Sequence, residues 1–346
     1  MPPLEFRPFD PGMDPEMVVM IDGWAPGFRM ISHWPGHTTP GPLRHDTTTG
    51  SAFLWAEMSE SRRRELIGDF SVVTNNHYDT DGTLSLFTML RPEVSSRYRD
   101  LILRTARAGD FAVWGGPDAL ALELDIMSDL ASFLPFSTPP FDAERLGNLS
   151  RLYVRVFERL ESLLADPFAL RSEWADRFDQ VVADVARIEA GIGVSVTRFP
   201  GDDLAVVEID RPITSYGLRL AAGDLYRVLL VQPGEGGNRY RFCFRGESWW
   251  DVVSFRPAPR IALAPVAERL NELEPTPRWW ASPPDWTVPE LGFGEPVTFP
   301  LLAVRFDPQM QRDPTSSLPT ELVVSELRKA FESEPLLSNA HGQRSR

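Results

Sequence analysis

Residues 70–76, Phe-Ser-Val-Val-Thr-Asn-Asn, run directly into residues 77–82, His-Tyr-Asp-Thr-Asp-Gly, and this stretch decides the fold. Its apolar half predicts a short buried strand. Residues 84–90 then place apolar side chains on one face of a helix, which Pro92 ends. In an open α/β sheet, ligands bind beyond the carboxyl ends of the strands, so we expect a functional site at residues 77–82.

The same alternation of strand and helix is found on both sides of this stretch. Upstream, residues 18–22 and 28–34 predict two strands, and residues 46–51 begin a helix that continues to about Ile67. Downstream, the predicted elements are a helix over 94–108, a fourth strand over 110–114 and a helix over 117–132. Strands that alternate with helices predict an α/β fold with a mainly parallel sheet and flanking helices.

The remainder of the chain changes its pattern twice. Residues 139–192 contain two amphipathic helices and predict a helical connector between domains. From about residue 193 the apolar period is two, and two Gly-containing turns join paired strands. We therefore expect an α/β domain with a candidate metal site over 1–138, the connector over 139–192, a smaller α+β substrate or cap domain over 193–332, and a flexible tail over 333–346.

Composition excludes several classes of function. The 346 residues carry 49 acidic and 35 basic side chains, for a net charge of -14, which argues against general binding to nucleic acids or anionic membranes. The single cysteine, Cys243, excludes an internal disulfide and a cysteine-based zinc cluster. The N-terminus lacks the apolar region of a signal peptide, and there is no apolar run of membrane-spanning length, so we expect a cytoplasmic protein.

Three potential metal ligands, His77, Asp79 and Asp81, lie within five residues. Carboxylate oxygens suit hard cations such as Mg²⁺ and Mn²⁺, and imidazole shifts the preference toward transition metals. Gly82 is expected to let the backbone turn into the following helix. The alternative interpretation is a helix-capping turn with solvated aspartates.

Further candidate ligands end the two upstream strands. Asp22 ends the strand over 18–22, and His33 lies at the end of the strand over 28–34. Together with residues 77–81, three strand ends bring carboxylates and imidazoles to one edge of one sheet. Two metal ions a few ångströms apart need about this many ligands. The sequence therefore predicts a site for two divalent cations.

Residues 77–85, His-Tyr-Asp-Thr-Asp-Gly-Thr-Leu-Ser, resemble the first motif of the DHH phosphoesterase superfamily, His-x-Asp-x-Asp-Gly-x-x-Ser. Asp22 after Val-Val-Met-Ile resembles that superfamily's strand-end aspartate. Ser32-His33-Trp34 with His37 resembles a degenerate form of its Asp-His-His motif. The tripeptide Asp-His-His itself is absent, and the motif order is permuted. The whole chain also resembles an uncharacterised bacterial family with Ser-His-Trp-Pro-Gly and Asn-Asn-His-x-Asp-x-Asp-Gly signatures.

The superfamily resemblance implies two Mn²⁺ or Mg²⁺ ions and the hydrolysis of phosphodiesters or phosphoanhydrides. The implied metal ligands are Asp22, His77, Asp79 and Asp81. The catalytic candidates, which would bind metal or contact the phosphate, are His33, His37 and Asp46. His45, at a predicted helix start that favours anions, is a candidate for substrate binding.

Arg241 and Arg245 are the other candidates for binding substrate. They belong to a segment, residues 238–245, in which aromatic and arginine side chains alternate. In an acidic protein such an arginine face could bind a substrate phosphate. The alternative is the solvated outer face of an antiparallel sheet.

Two functional hypotheses follow. The first is a metal-dependent hydrolase of a phosphoester or phosphoanhydride, such as a small nucleotide, with a small phosphorylated substrate as its partner. The second is a non-enzymatic module that senses a nucleotide or binds a protein partner. A homodimer is compatible with either hypothesis. Under the first, Asp81→Asn should abolish metal binding and leave the fold intact.

Overall fold

The architecture is given by a computed structural model that describes residues 3–128, 143–295 and 314–333. The chain divides into two compact units. The first consists of Met1–Asp179 and Trp250–Ser254, and the second of Gln180–Trp249 and Phe255–Arg346. The domain edge predicted near residue 138 and the tail predicted after residue 333 lie outside the described residues.

The first unit contains a four-stranded sheet and seven described helices. Its strands are β1 Glu5–Phe6, β2 Val18–Ile21, β3 Arg29–Ile31 and β4 Val72–Thr74. Its helices are α1 Thr48–Glu57, α2 Glu60–Ile67, α3 Thr80–Leu90, α4 Pro92–Arg97, α5 Arg99–Phe111, α6 Pro117–Ser128 and α7 Ala143–Ala165. Helix α8, Ala175–Glu189, contains the boundary between the two units.

All strand pairs of this sheet are parallel, in the order β1-β4-β2-β3. The residues of β2 and β4 are buried throughout, as expected for central strands covered on both faces. The predicted parallel sheet and α/β fold are confirmed. Because the strands are parallel, β2, β3 and β4 end at one edge, which brings together the residues that follow them.

Two predictions about this unit are wrong in detail. Residues 110–114 do not form the fourth strand, because α5 continues to Phe111 and ends at Ala112, which has a left-handed backbone. A short apolar run cannot be assigned to a strand or a helix by periodicity alone. The fourth strand is β1, near the N-terminus. The helix predicted over 46–67 is two helices, since Ser59 caps a new one.

The second unit is built on a six-stranded mixed sheet. Its strands are β5 Val194–Phe199, β6 Leu204–Ile209, β7 Arg227–Gly234, β8 Gly237–Phe244, β9 Trp279–Ala281 and β10 Glu290–Phe293. Its helices are α9 Ser215–Ala222, α10 Ala264–Leu273 and α11 Thr320–Ser333. The strand order is β5-β6-β7-β8-β10-β9, in which β6–β7 is the parallel pair. The antiparallel hairpins β5–β6 and β7–β8 confirm the two predicted from sequence.

Helix α7 shows how the amphipathic pattern is used in the first unit. Leu149, Tyr153, Val156 and Leu160 form an apolar stripe along this helix, and all four are buried in the core around the parallel sheet. The Tyr153 hydroxyl also donates a hydrogen bond of 2.8 Å to the carbonyl of His77. Thus α7 supports the turn that carries the candidate ligands. None of the helices in the described ranges combines the length and the apolarity needed to cross a bilayer.

Candidate metal centre

Asp22 is the centre of the candidate site. It follows β2 with a left-handed backbone (φ 52°) and is fully buried, and its N–H donates to the carbonyl of Ile31 at 2.9 Å. One carboxylate oxygen, Oδ1, accepts a 2.6 Å hydrogen bond from the Thr48 hydroxyl at the start of α1. The other, Oδ2, makes no hydrogen bond to any described residue. The Asp22 side chain is thereby fixed with one oxygen left for a further partner.

Asp22, His77 and Asp79 form an outer group of potential metal ligands, whose ligand atoms lie within 4.8 Å of one another. His77 Nε2 is 2.9 Å from Asp79 Oδ2 and 3.5 Å from Asp22 Oδ2. The His77 and Asp79 side chains are 20% and 33% exposed. Asp79 also caps α3, because its Oδ1 accepts the N–H of Gly82 at 2.7 Å. Asp79 can therefore serve both as the helix cap and as a candidate metal ligand, with a different oxygen in each role.

Asp22 also belongs to an inner group, with His33 and Asp81, whose ligand atoms again lie within 4.8 Å of one another. His33 Nε2 is 3.4 Å from Asp22 Oδ1 and 3.8 Å from Asp81 Oδ2, and these side chains are almost completely buried. The Asp81 carboxylate accepts the N–H groups of Thr48 at 2.6 Å and Thr49 at 2.9 Å. These donors are unsatisfied groups at the N-terminus of α1, where negative charge is favourable.

The tautomer of His33 is fixed by its other ring nitrogen. Nδ1 lies 2.6 Å from the carbonyl oxygen of Asp46, which can only accept, so Nδ1 carries the proton. Nε2 then presents a lone pair toward Asp22, Asp81 and, at 3.4 Å, Asp110 Oδ2. Four acceptor groups thus converge with no donor among them unless protons are added. A cation satisfies this arrangement, so the residues present fit a metal.

Asp110 is a part of the site that sequence reasoning missed. It lies near the C-terminal end of α5, and its Oδ2 is buried without a hydrogen bond to a described residue. The sequence interpretation placed it at the start of a strand. The sequence feature that could have revealed Asp110 is its position four residues after Ala106, because these two residues share a helix face and Ala106 is buried in the core. Asp110 could therefore complete the inner group.

Gly82 is required for space and not for its backbone freedom. It lies inside α3, and a Cβ atom there would be 2.5 Å from Asn75 Nδ2 and 3.2 Å from Asp22 Oδ2. The expectation that Gly82 serves to turn the chain is therefore wrong. The missing side chain lets Asp22 and Asn75 approach the first turn of α3 closely.

The electrostatics of the metal-free site follow from burial and crowding. Burial opposes protonation of His77, but the carboxylates of Asp79 and Asp22 outweigh it and raise the pKa of His77 to about 10. Burial and the neighbouring Asp22 charge raise the pKa of Asp81 well above its usual value. Burial and the Asp81 carboxylate do the same to the pKa of Asp110. Without metal, a proton on His77 offsets part of the negative charge of the site near neutral pH, and the raised pKa values of Asp81 and Asp110 act in the same direction.

The remaining N-terminal candidates, His37, His45 and Asp46, have other partners. His37 Nε2 is 2.9 Å from Asp251 Oδ2. The Asp46 carboxylate accepts hydrogen bonds from residues 253–254, while its carbonyl contacts His33. The Nδ1 atom of His45 accepts the N–H of Thr47 at 3.3 Å. Neither metal-ligand group includes any of these three side chains.

Arg241 and Arg245 belong to the second unit. They are only 4% and 7% exposed, so the solvated outer face considered as an alternative is not what the structure shows. Arg241 forms an ion pair of 3.0 Å with Glu290. Arg245 pairs with Glu247 and donates to the carbonyls of Gly223 and Leu225 at 3.0 and 2.9 Å. Both guanidinium groups thus have acceptors within the protein.

A family model described as "Family of unknown function (DUF6687)" matches residues 2–341. Because the match covers nearly the whole chain, the protein belongs to this family. No curated protein matches the chain.

Proposed function

We propose that this member of the DUF6687 family is a two-metal hydrolase of phosphoesters or phosphoanhydrides. One observation carries the proposal: two groups of three side chains that could ligate a metal ion share the buried carboxylate of Asp22. A bridging carboxylate between two ligand sets is an arrangement that suits a pair of ions a few ångströms apart. The resemblance of residues 77–85 to the DHH phosphoesterase motif supports the choice of a phosphorus-centred substrate.

The donor set favours Mn²⁺ over Mg²⁺. Each group combines carboxylate oxygens with one imidazole nitrogen, and imidazole suits transition metals whereas Mg²⁺ prefers oxygen ligands alone. When bound, two such cations would lower the pKa of water and neutralise charge on a phosphoryl group. His77 and Asp79 would hold the outer ion, His33 and Asp81 the inner ion, and Asp22 both.

The exposure of the two groups gives the direction of substrate approach. His77 and Asp79 are partly exposed, whereas the His33 and Asp81 side chains are buried. A small phosphorylated substrate would therefore arrive on the outer side. The Trp34 ring lies beside His77 there, with the ring centroids 4.8 Å apart. Trp34 restricts water around the outer group and offers an apolar surface to the rest of the substrate.

The proposal is tested by metal stoichiometry followed by turnover. Protein stripped with EDTA and dialysed against Mn²⁺ should retain about two ions per chain. It should then hydrolyse at least one member of a panel containing a generic phosphodiester, a phosphomonoester and pyrophosphate, and EDTA should abolish the activity. Absence of bound Mn²⁺ would overturn the proposal. Two ions with ligand-induced thermal stabilisation but no turnover would favour the nucleotide-sensing module instead.

Metal binding should release protons and tighten with rising pH. His77, with a pKa of about 10, holds a proton in the metal-free protein near neutrality, and the raised pKa values of Asp81 and Asp110 let these carboxyls keep protons to a higher pH than an ordinary aspartate does. A metal ion must displace those protons, so its apparent affinity should rise about tenfold per pH unit for each one displaced. Mn²⁺ titrations at pH 6, 7 and 8, with proton release measured in weak buffer, check this. An affinity independent of pH would contradict it.

A further inference from the structure

Residues Trp250–Ser254 form a short segment, the strap, that belongs to the first unit. The residues on either side of it in sequence, Trp249 and Phe255, belong to the second unit. The strap is separated by about 200 residues of sequence from the parts of the first unit that it contacts, as in the bond from Val253 to Asp46. Besides the contacts of Asp251 with His37 and Arg44, the strap contacts His33 and Asp46.

The strap contacts the inner ligand His33 directly. The N–H of Asp251 donates a 2.8 Å hydrogen bond to the carbonyl of His33. The Trp250 ring lies against the imidazole of His33, with centroids 5.4 Å apart and an interplanar angle of 31°. Trp250 also meets Phe111 edge-on, with centroids at 5.7 Å. The imidazole is therefore confined between its neighbours by aromatic packing.

The strap also holds Asp46, whose carbonyl fixes the tautomer of His33. Asp46 Oδ1 accepts the N–H groups of Val253 and Ser254, each at 2.8 Å, and Oδ2 accepts the Ser254 hydroxyl. The carboxylate of Asp46 is thus fully engaged by the strap, and its own carbonyl accepts the His33 Nδ1 proton at 2.6 Å. The hydrogen bonds form a continuous path from Ser254 through Asp46 to His33.

We propose that Asp46 and Ser254 are positioning residues, which orient His33 Nε2 for the inner metal ion without touching that ion. The inference rests on the proposed two-metal centre. Partners that hold the second nitrogen of a ligating histidine set its tautomer and ring orientation, and their loss typically costs about 10- to 100-fold in metal affinity. The strap thereby makes the inner ion dependent on residues far away in sequence.

Two variants and one control test the inference. Asp46→Ala removes both carboxylate oxygens and with them all three hydrogen bonds from the strap, whereas Ser254→Ala removes one hydroxyl and leaves the two bonds from backbone N–H groups. The control, Ser59→Ala, removes the cap of α2, where Ser59 accepts the N–H of Arg62 at 3.3 Å. The loss of this cap lowers the stability of α2, and Ser59 has no described contact to the two groups of candidate ligands. Mn²⁺ titration of the full chain, resolved into two binding steps, is the measurement.

The expected result is selective weakening of one step. In Asp46→Ala one Mn²⁺ should bind about 10- to 100-fold more weakly, in Ser254→Ala the same step should weaken less, and the other step should stay unchanged in both. Ser59→Ala should bind both ions normally. Thermal melting in EDTA identifies a variant that fails to fold. If Asp46→Ala fails to fold, the titration of Ser254→Ala alone tests the inference.

The two proposals fail in different ways. Wild-type protein that binds no Mn²⁺ would overturn the two-metal centre itself. Wild-type protein with two ions, beside a folded Asp46→Ala or Ser254→Ala variant whose two steps match wild type, would overturn the positioning role alone. Equal weakening of both steps would also overturn it, since the strap contacts described above reach His33 and neither His77 nor Asp79.

Discussion

Asp22→Asn is expected to remove both metal ions and all activity. Asp22 is the residue common to the two ligand groups, and its Oδ2 has no other hydrogen-bonding partner among the described residues. An asparagine offers a single side-chain oxygen. We expect that oxygen to keep the hydrogen bond from the Thr48 hydroxyl, which Oδ1 of Asp22 accepts at 2.6 Å. Metal-dependent charge stabilisation is worth several kcal/mol, so hydrolysis should fall at least about 1000-fold.

The Asp22→Asn substitution suits the local backbone. Asp22 has a φ of 52°, and asparagine is among the few residues that tolerate the left-handed region. The variant should therefore fold, which far-ultraviolet circular dichroism in EDTA would verify. Asp81→Asn is a less clean test, because the Asp81 carboxylate accepts two N–H groups at the start of α1. An amide there would leave one of these donors unsatisfied.

Asp79→Asn is the matched control for Asp22→Asn. Asparagine caps helices as well as aspartate, so Oδ1 can keep its bond to the Gly82 N–H while the second ligand oxygen is lost. We expect Asp79→Asn to lose the outer ion and keep the inner one, whereas Asp22→Asn loses both. Metal analysis after dialysis against Mn²⁺ separates the two cases. Two retained ions in Asp22→Asn would refute the shared-carboxylate arrangement.

The centre of the site could be predicted from sequence because it depends on local order. Asp22, His33 and residues 77–81 each follow an apolar strand, and parallel pairing of β2, β3 and β4 brings strand ends to one edge. The prediction needed only the type of each element and the direction of the strands. Metal-ligand groups at that edge confirm that these residues meet.

What the sequence could not show depends on contacts between distant parts of the chain. Asp110 comes from a helix, so the rule about strand ends does not reach it. The strap reaches Asp46 across more than 200 residues, and nothing local in Trp250–Ser254 indicates that partner. Arg241 alternates as expected along β8, but its partner Glu290 lies on β10, in a proline-rich region where no strand was predicted.

Glu123 supplies the second large prediction, which concerns stability and is independent of the metal site. It lies on α6, is fully buried, and neither carboxylate oxygen has a hydrogen-bonding partner among the described residues. Burial raises the pKa of Glu123 from 4.5 to about 8, against a small opposing effect from Arg177. The folded protein therefore keeps a proton on Glu123 at neutral pH that the unfolded chain releases.

This difference makes stability fall as pH rises. Between pH 4.5 and about 8 the folded state binds the extra proton, so the free energy of unfolding decreases with pH in that window. Above pH 8 the free energy of unfolding is lower by about 5 kcal/mol than near pH 4.5 because of Glu123. Glutamine is neutral at every pH and of similar size, so Glu123→Gln should remove this dependence.

We expect Glu123→Gln to match wild type near pH 5 and to melt about 10 °C higher or more at pH 9, since 1 kcal/mol shifts a unit of this size by about 2–4 °C. Thermal scans in EDTA exclude linkage to metal binding. Glu158→Gln, on the exposed side of α7, is the control and should follow wild type at both pH values. A Glu123→Gln variant with the same melting difference at pH 5 and pH 9 would show that the carboxyl is not held in its neutral form. The buried acid would then be ionised in the folded protein, and its charge would have to be compensated within the first unit.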